Sequence, residues 1–187
     1  MNTKIINITI IILLFSTSLI LFLIFRLSDR IKEFENYYTL INRTNVGNII
    51  PRFKGRRECD GASITSLDLQ GHNVVLVFLS SKCPACIAKS TQLLKLLPGM
   101  ARAGVTFWIA TDDAQDISAI VGGSALESHV LRIDADTRRR LNPNNLVPSY
   151  IFIDDQMVVR DQSHMEDENW IDFIKQIEEH LASMANG

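Results

Sequence analysis

Cysteine is scarce in this chain, with three in 187 residues, at positions 59, 83 and 86. That is too few for a disulfide-stapled scaffold, so a hydrophobic core has to hold the fold. Positive charge is not in excess, because 19 Lys and Arg stand against 21 Asp and Glu. Without a basic stripe the chain lacks what a phosphate backbone requires, which excludes nucleic acid as a partner. Internal repeats and low-complexity tracts are missing, so neither a solenoid nor a disordered tail is indicated. The four histidines, at 72, 129, 164 and 180, stand singly and supply no second pair to complete a zinc site. No metal and no cofactor is expected.

What the chain does have is one long apolar run. Residues 5–25 carry no charge and are mostly Ile, Leu and Phe, between Lys4 and Arg26. At about 1.5 Å per residue the run matches a bilayer core of about 30 Å. A signal peptide would have a shorter apolar core and a small-residue cleavage site. Here Phe25-Arg26-Leu27-Ser28-Asp29 follows, so an uncleaved anchor is expected. The spacing of Leu27, Ile31, Phe34, Tyr38 and Ile41 predicts a helical stalk, with a loose linker as the other reading. The expected organisation is an anchor over 1–26, a stalk or linker over 27–46 and a domain over 47–187, beginning at Gly47 and Pro51.

Within that domain, residues 73–80 contain the run Val74-Val75-Leu76-Val77-Phe78-Leu79, which predicts a central strand covered on both faces. A helix is expected over 86–97, closed by Pro98-Gly99, and a second strand over 105–110. Asp112 or Asp113 is expected to cap a helix running to Val121. Then come a strand at 129–133, a short helix at 136–141, and a hairpin of 149–154 with 157–161 around Asp155-Gln156. An amphipathic helix over 167–184 follows, with Trp170, Phe173, Ile174, Ile177 and Leu181 on one face. Strands alternating with helices, then an antiparallel pair, predict an α/β fold with a mixed sheet and helices on both faces.

Cys83-Pro84-Ala85-Cys86 sits at the junction of the first strand and its helix. A helix start offers unpaired N–H groups and partial positive charge, which favour a thiolate at Cys83. Pro84 suits the first helical turn, where its missing N–H costs nothing. Lys82 is a candidate to lower the Cys83 pKa further. Cys83 would attack a substrate disulfide and Cys86 would resolve the mixed disulfide. Val147-Pro148-Ser149 precedes the strand Tyr150-Ile151-Phe152-Ile153, and a proline there belongs at the strand's first position. With a cis bond, the Val147 backbone would approach the cysteines and pair with a bound substrate chain.

The run VVLVFLSSKCPAC, the later VPSYIFID and the hairpin after it resemble the thioredoxin superfamily. The nearest resemblance is to its membrane-anchored members, the TlpA-type proteins and MauD, the accessory protein of methylamine dehydrogenase. FLSSKCPAC is more similar to MauD, because TlpA-type chains usually place a tryptophan before the first cysteine. The resemblance covers roughly 47–181, including Ile50-Pro51-Arg52-Phe53. It implies a thioredoxin fold, Cys83 as nucleophile, Cys86 as resolving thiol, Pro148 as cis-proline, and Pro84, Ala85 and Val147 against the substrate. One departure is Val77, which stands where thioredoxin keeps a buried acid, so proton transfer at Cys86 needs another group or water.

Other polar residues carry plainer readings. Cys59 is read as a free exposed cysteine, Arg138-Arg139-Arg140 as a solvated helix face, Asp154-Asp155 as turn residues and Trp108 as core. The charges flanking the apolar run, Lys4 before and Arg26, Arg30 and Lys32 after, lean slightly towards a cytoplasmic domain. The resemblance implies the opposite, a single-pass protein of the bacterial inner membrane with its domain on the periplasmic or outer side. It further implies a disulfide-containing client protein, methylamine-dehydrogenase-like or cytochrome-c-like, and a redox partner that recycles the cysteine pair. Two other readings stand beside this one. A copper-delivery protein would need a third ligand beside the thiols, from His129 or His164. A peroxidase would want a Thr and an Arg beside one cysteine.

Overall fold

The computed structural model describes residues 3–42 and 45–185, with side chains for 10–32, 45–179 and 182. Contacts divide the chain into two units, residues 1–40 and 41–187. The first is one helix, α1, Thr3–Asn42. Within it Ile10–Lys32 has a mean hydropathy of 2.6, and its length and composition suffice to cross a membrane. Leu27 and Ile31 of the predicted stalk face are exposed; the side chains of Phe34, Tyr38 and Ile41 lie outside the described residues.

The second unit is a seven-stranded mixed sheet. Its strands are β1 Lys54–Arg57, β2 Ser63–Thr65, β3 Asn73–Phe78, β4 Val105–Thr111, β5 Val130–Ile133, β6 Ser149–Ile153 and β7 Val159–His164. They lie in the order β2-β1-β5-β4-β3-β6-β7. β3, β4 and β5 are parallel, and β6 and β7 continue antiparallel from β3. The helices are α2 Pro84–Arg102, α3 Ser118–Val121, α4 Ala135–Leu141 and α5 Glu168–Ala185. This is the α/β arrangement of a thioredoxin fold, and the continuous apolar run of β3 explains its place. Val74 to Phe78 are all buried, the odd positions in one core with α2 and α5, the even ones in the other with α4. Each such side chain contributes on the order of 1.5–3 kcal/mol by leaving water. Trp108 belongs to the core, as do Trp170, Ile174 and Ile177 of α5, while the side chain of Leu181 lies outside the described residues.

Several elements depart from the sequence reading. α2 starts at Pro84 rather than at 86 and runs through Pro98-Gly99. Pro98 removes one backbone donor, but Leu96, Gly99 and Met100 of the last turns are buried, and their packing outweighs that loss. The stop comes at Gly104, whose φ of +69° is readily adopted only without a side chain. Asp112 caps no helix. Its Oδ1 accepts the Ala114 N–H at 3.0 Å, a turn that competes with helix, and α3 begins only at Ser118. β1 and β2 have no apolar run to mark them, and Cys59 lies exposed in the turn between them. β7 continues past Asp161 to His164. Arg138 is not on a solvated face: it is 8% exposed and lies 3.5 Å from Asp112, whereas Arg139 is exposed.

Candidate active site

Cys83 is the N-cap of α2, with an extended backbone and Pro84 at the first helical position. Its N–H donates to the Ser80 carbonyl at 3.0 Å, which folds the chain from the end of β3 into the helix. The Cys86 N–H donates to the Cys83 sulfur at 3.2 Å. A sulfur in that position takes up one of the helix's unpaired donors, an arrangement that favours negative charge. Cys83 is partly exposed, Cys86 buried, and Pro84 and Ala85 exposed beside them. Burial pushes the Cys86 thiol up to about 12, the neighbouring Cys83 adds to the rise, and a backbone hydrogen bond from Ser80 opposes it. One sulfur is therefore accessible and solvated by a helix end, and the other keeps its proton. Lys82 is exposed, and its backbone N–H donates to Ser80 Oγ at 3.3 Å.

The opposite wall comes from the segment before β6. The Val147–Pro148 peptide bond is cis, and Pro148 is buried with its carbonyl accepting the Met165 N–H at 3.1 Å. The Val147 carbonyl faces the dithiol, 3.9 Å from Cys83 Sγ. Sheet register explains the meeting, because Phe78 at the end of β3 pairs with Ser149 at the start of β6. The structure thus brings Cys83, Cys86, Val147 and Pro148 together at one end of the sheet.

The register extends one strand further, from Ser149 to His164 on β7. His164 stands at the dithiol end, about 10 Å from β3 at about 4.8 Å per strand. Burial holds its pKa below the ordinary value and the charge of Lys89 on α2 acts the same way, against Glu166 and Asp167. His129 stands elsewhere. It precedes β5, where the register of Val130 with Ile109 and of Ile109 with Val77 sets it on the far side of β4 from β3, with Nδ1 3.1 Å from the Phe107 carbonyl. It borders a separate cleft of about 500 Å³ with His72, Met100 and Trp108. Among the described residues no group of three His, Cys, Asp or Glu side chains is placed to hold a metal. Val77 is fully buried in the same core as Cys86, so no carboxylate occupies that position.

Two residues without a reading in the sequence, Gln115 and Asn142, meet Arg138 here. Gln115, Arg138 and Asn142 form buried and half-buried contacts behind the site. Their signal was the spacing Asp134, Arg138, Asn142, four residues apart on one helix face.

Residues 45–173 match the model of the Redoxin family. Among solved structures, the thioredoxin domain of a thiol-disulfide oxidoreductase from Bacteroides vulgatus is similar at a TM-score of 0.56 and 16% identity, over 71% of this chain and 97% of that one. A thiol:disulfide interchange protein from Bacteroides sp. is similar at 0.56 and 19%, over 71% of this chain and 90% of that one. The dsbF protein of MTB, solved in mixed oxidized and reduced forms, is similar at 0.50 and 19%, over 68% and 94%. At these identities the likeness is one of fold. No curated protein matches the sequence.

Proposed function

The chain belongs to the Redoxin family, and from that premise we propose that it is a membrane-anchored thiol–disulfide oxidoreductase acting on an extracytoplasmic client protein. The observation that carries this reading is the asymmetry of the pair: a partly exposed Cys83 sulfur receiving a helix N–H, with a buried Cys86 behind it. In the reducing direction the Cys83 thiolate attacks a client disulfide, forming one S–S bond and releasing one client thiolate, which takes a proton. Cys86 then gives up its proton and attacks Cys83 Sγ. The second client sulfur leaves, also to be protonated, and the pair is left oxidised. Oxidation of a client is the same sequence reversed, and a second redox partner restores the pair. The high pKa of Cys86 suits this order, since its proton is held until Cys83 has been consumed in the mixed disulfide.

Val147 and Pro148 supply the wall on which a client chain lies, with the Val147 backbone beside the attacked sulfur. The apolar segment Ile10–Lys32 serves as the anchor in this reading. The resemblance of FLSSKCPAC to MauD and TlpA-type proteins supports a periplasmic or outer-face domain of the bacterial inner membrane. It also supports a dedicated role in maturing one client, of the methylamine dehydrogenase or cytochrome c kind.

Insulin reduction tests the chemistry. Cys83→Ser abolishes it, and Cys86→Ser traps mixed disulfides; insulin reduction by Cys83→Ser at the wild-type rate would sink the reading. Alkaline phosphatase fused to the C-terminus tests the placement: activity in cells is expected, and its loss rejects an outer-face domain.

A further inference from the structure

Two buried hydrogen-bonded chains start one turn apart on α4 and end on the two walls of the dithiol site. The first begins at Arg138. Its guanidinium lies 3.5 Å from Asp112, and its two terminal nitrogens donate to the Gln115 side-chain oxygen at 3.2 and 3.1 Å. The amide nitrogen of Gln115, in the orientation that gives each of its atoms a partner, donates to the Leu79 carbonyl at 3.3 Å. Leu79 is followed by Ser80, whose carbonyl holds the Cys83 N–H. Among the described residues, Arg138 Nε finds no hydrogen-bond partner.

The second chain begins at Asn142, which is 5% exposed. Its Nδ2 donates to the Leu146 carbonyl at 2.7 Å, and its Oδ1 accepts the Leu146 N–H at 3.0 Å. Ser149 Oγ donates to the same Leu146 carbonyl at 2.7 Å. Leu146 and Ser149 bracket Val147-Pro148, so Asn142 holds the loop that presents the Val147 carbonyl. The two chains share a base, because the Asn142 N–H donates to the Arg138 carbonyl at 2.8 Å. The base is itself fixed. Asp134 caps α4 through the Thr137 N–H at 2.7 Å, and the Leu141 carbonyl accepts from Gln162 at 3.0 Å.

Resting on the oxidoreductase reading above, we propose that α4 is a brace. Arg138, through Gln115, and Asn142 are positioning residues that hold the Cys83 sulfur and the Val147 backbone at the separation a docked client chain needs. Neither touches the reacting sulfurs. Buried polar groups cost stability when unpaired, and here each is spent on one wall of the site. The brace acts on substrates that use both walls. A protein disulfide needs the Val147 backbone beside the attacked sulfur, while a small aromatic disulfide needs only the sulfur. Misplacing a positioned group by about 1 Å costs up to about a hundredfold where geometry is limiting, so partial loosening of one wall reads as a smaller but measurable loss.

The test uses the full chain in detergent micelles, with insulin and 5,5′-dithiobis(2-nitrobenzoic acid) as substrates. Gln115→Ala and Asn142→Ala each raise the KM for insulin by about fivefold and leave kcat and the small-disulfide rate within about twofold. Because both cuts release one brace, the double variant raises KM by about fivefold relative to wild type, not by the product of about 25-fold that independent sites give. If Asn142→Ala shows no cooperative unfolding transition, Asn142→Asp replaces it, keeping the acceptor for Leu146 N–H and losing the donor. An unchanged insulin KM, a parallel fall with both substrates, or a multiplicative double variant overturns the brace. A wild-type chain that exchanges with neither substrate overturns the oxidoreductase reading, and the brace falls with it.

Discussion

The Cys86 backbone N–H reaches the Cys83 sulfur across 3.2 Å, while the Cys86 sulfur is wholly buried. One residue therefore serves its partner twice, as a donor that stabilises charge on Cys83 and as a protonated thiol in reserve. The two sulfurs are three positions apart in sequence numbering but live in different solvents.

That difference is measurable by alkylation. With the Cys86 thiol pushed up to about 12, roughly one molecule in ten thousand carries its thiolate at about pH 8. In a Cys59→Ser background, iodoacetamide at that pH is expected to label Cys83 and to spare Cys86 until the chain is unfolded. Peptide mass spectrometry reads both sites, and equal labelling of the two in the folded state rejects the asymmetry.

The same hydrogen bond gives Cys83 a structural role separable from its chemistry. As the N-cap of α2, its sulfur accepts a helix N–H. Serine is a preferred cap, whereas alanine accepts nothing, and losing a cap costs about 0.5–2 kcal/mol. Cys83→Ser is expected to keep or raise the thermal midpoint and Cys83→Ala to lower it, although both abolish exchange. Equal midpoints for the two variants would mean that the cap contributes nothing.

Much of this was legible in the residues. The run Val74 to Leu79 could only be a covered strand, and a proline after the first cysteine could only sit at a helix start. Pro148 stood out by its place about 60 residues after the cysteine pair and just before an apolar run, although β6 itself begins one residue later, at Ser149. What stayed hidden depends on pairing across the chain. β1 is held by register with β5, and β2 by register with β1, rather than by an apolar pattern of their own. Arg138 reads as surface charge until Asp112 and Gln115 are brought against it. His129 and His164 look alike in sequence, and only the strand order sends them to opposite sides of β3, one before β5 and the other on β7.

Val77 is the departure with the sharpest physical consequence. It is fully buried in the core beside Cys86, where an ionised carboxylate would lack water. Val77→Asp is expected to destabilise the domain by about 3 kcal/mol or more at about pH 8. The buried carboxyl would have a raised pKa, so its protonated form is favoured on folding. Stability is then recovered as pH falls and lost as it rises, and the variant should lie closer to wild type at about pH 5. Urea unfolding at the two pH values checks this, and a penalty that is the same at both would show that the carboxyl reaches solvent.

His164 makes stability depend on pH in the range where imidazoles titrate. Burial lowers its pKa from 6.5 and Lys89 lowers it further, while Glu166, with Oε2 4.0 Å from Nδ1, and Asp167 pull upward. A histidine with a lowered folded pKa binds fewer protons in the folded chain than in the unfolded one. Its contribution is therefore intact above about 6.5 and is lost as pH falls through that value towards the folded pKa. His164→Gln should flatten the decline of Tm between about pH 7 and 5 without changing Tm at about pH 8. Lys89→Gln removes one of the two lowering causes, so the imidazole should titrate at higher pH by NMR. Because His164 pairs in register with Ser149, next to Pro148, its protonation places a charge near the wall that Val147 and Pro148 form. Insulin reduction should accordingly change with pH in the wild type over the same interval in which Tm changes. A variant His164→Gln whose Tm falls as steeply as that of the wild type would remove the histidine from both effects.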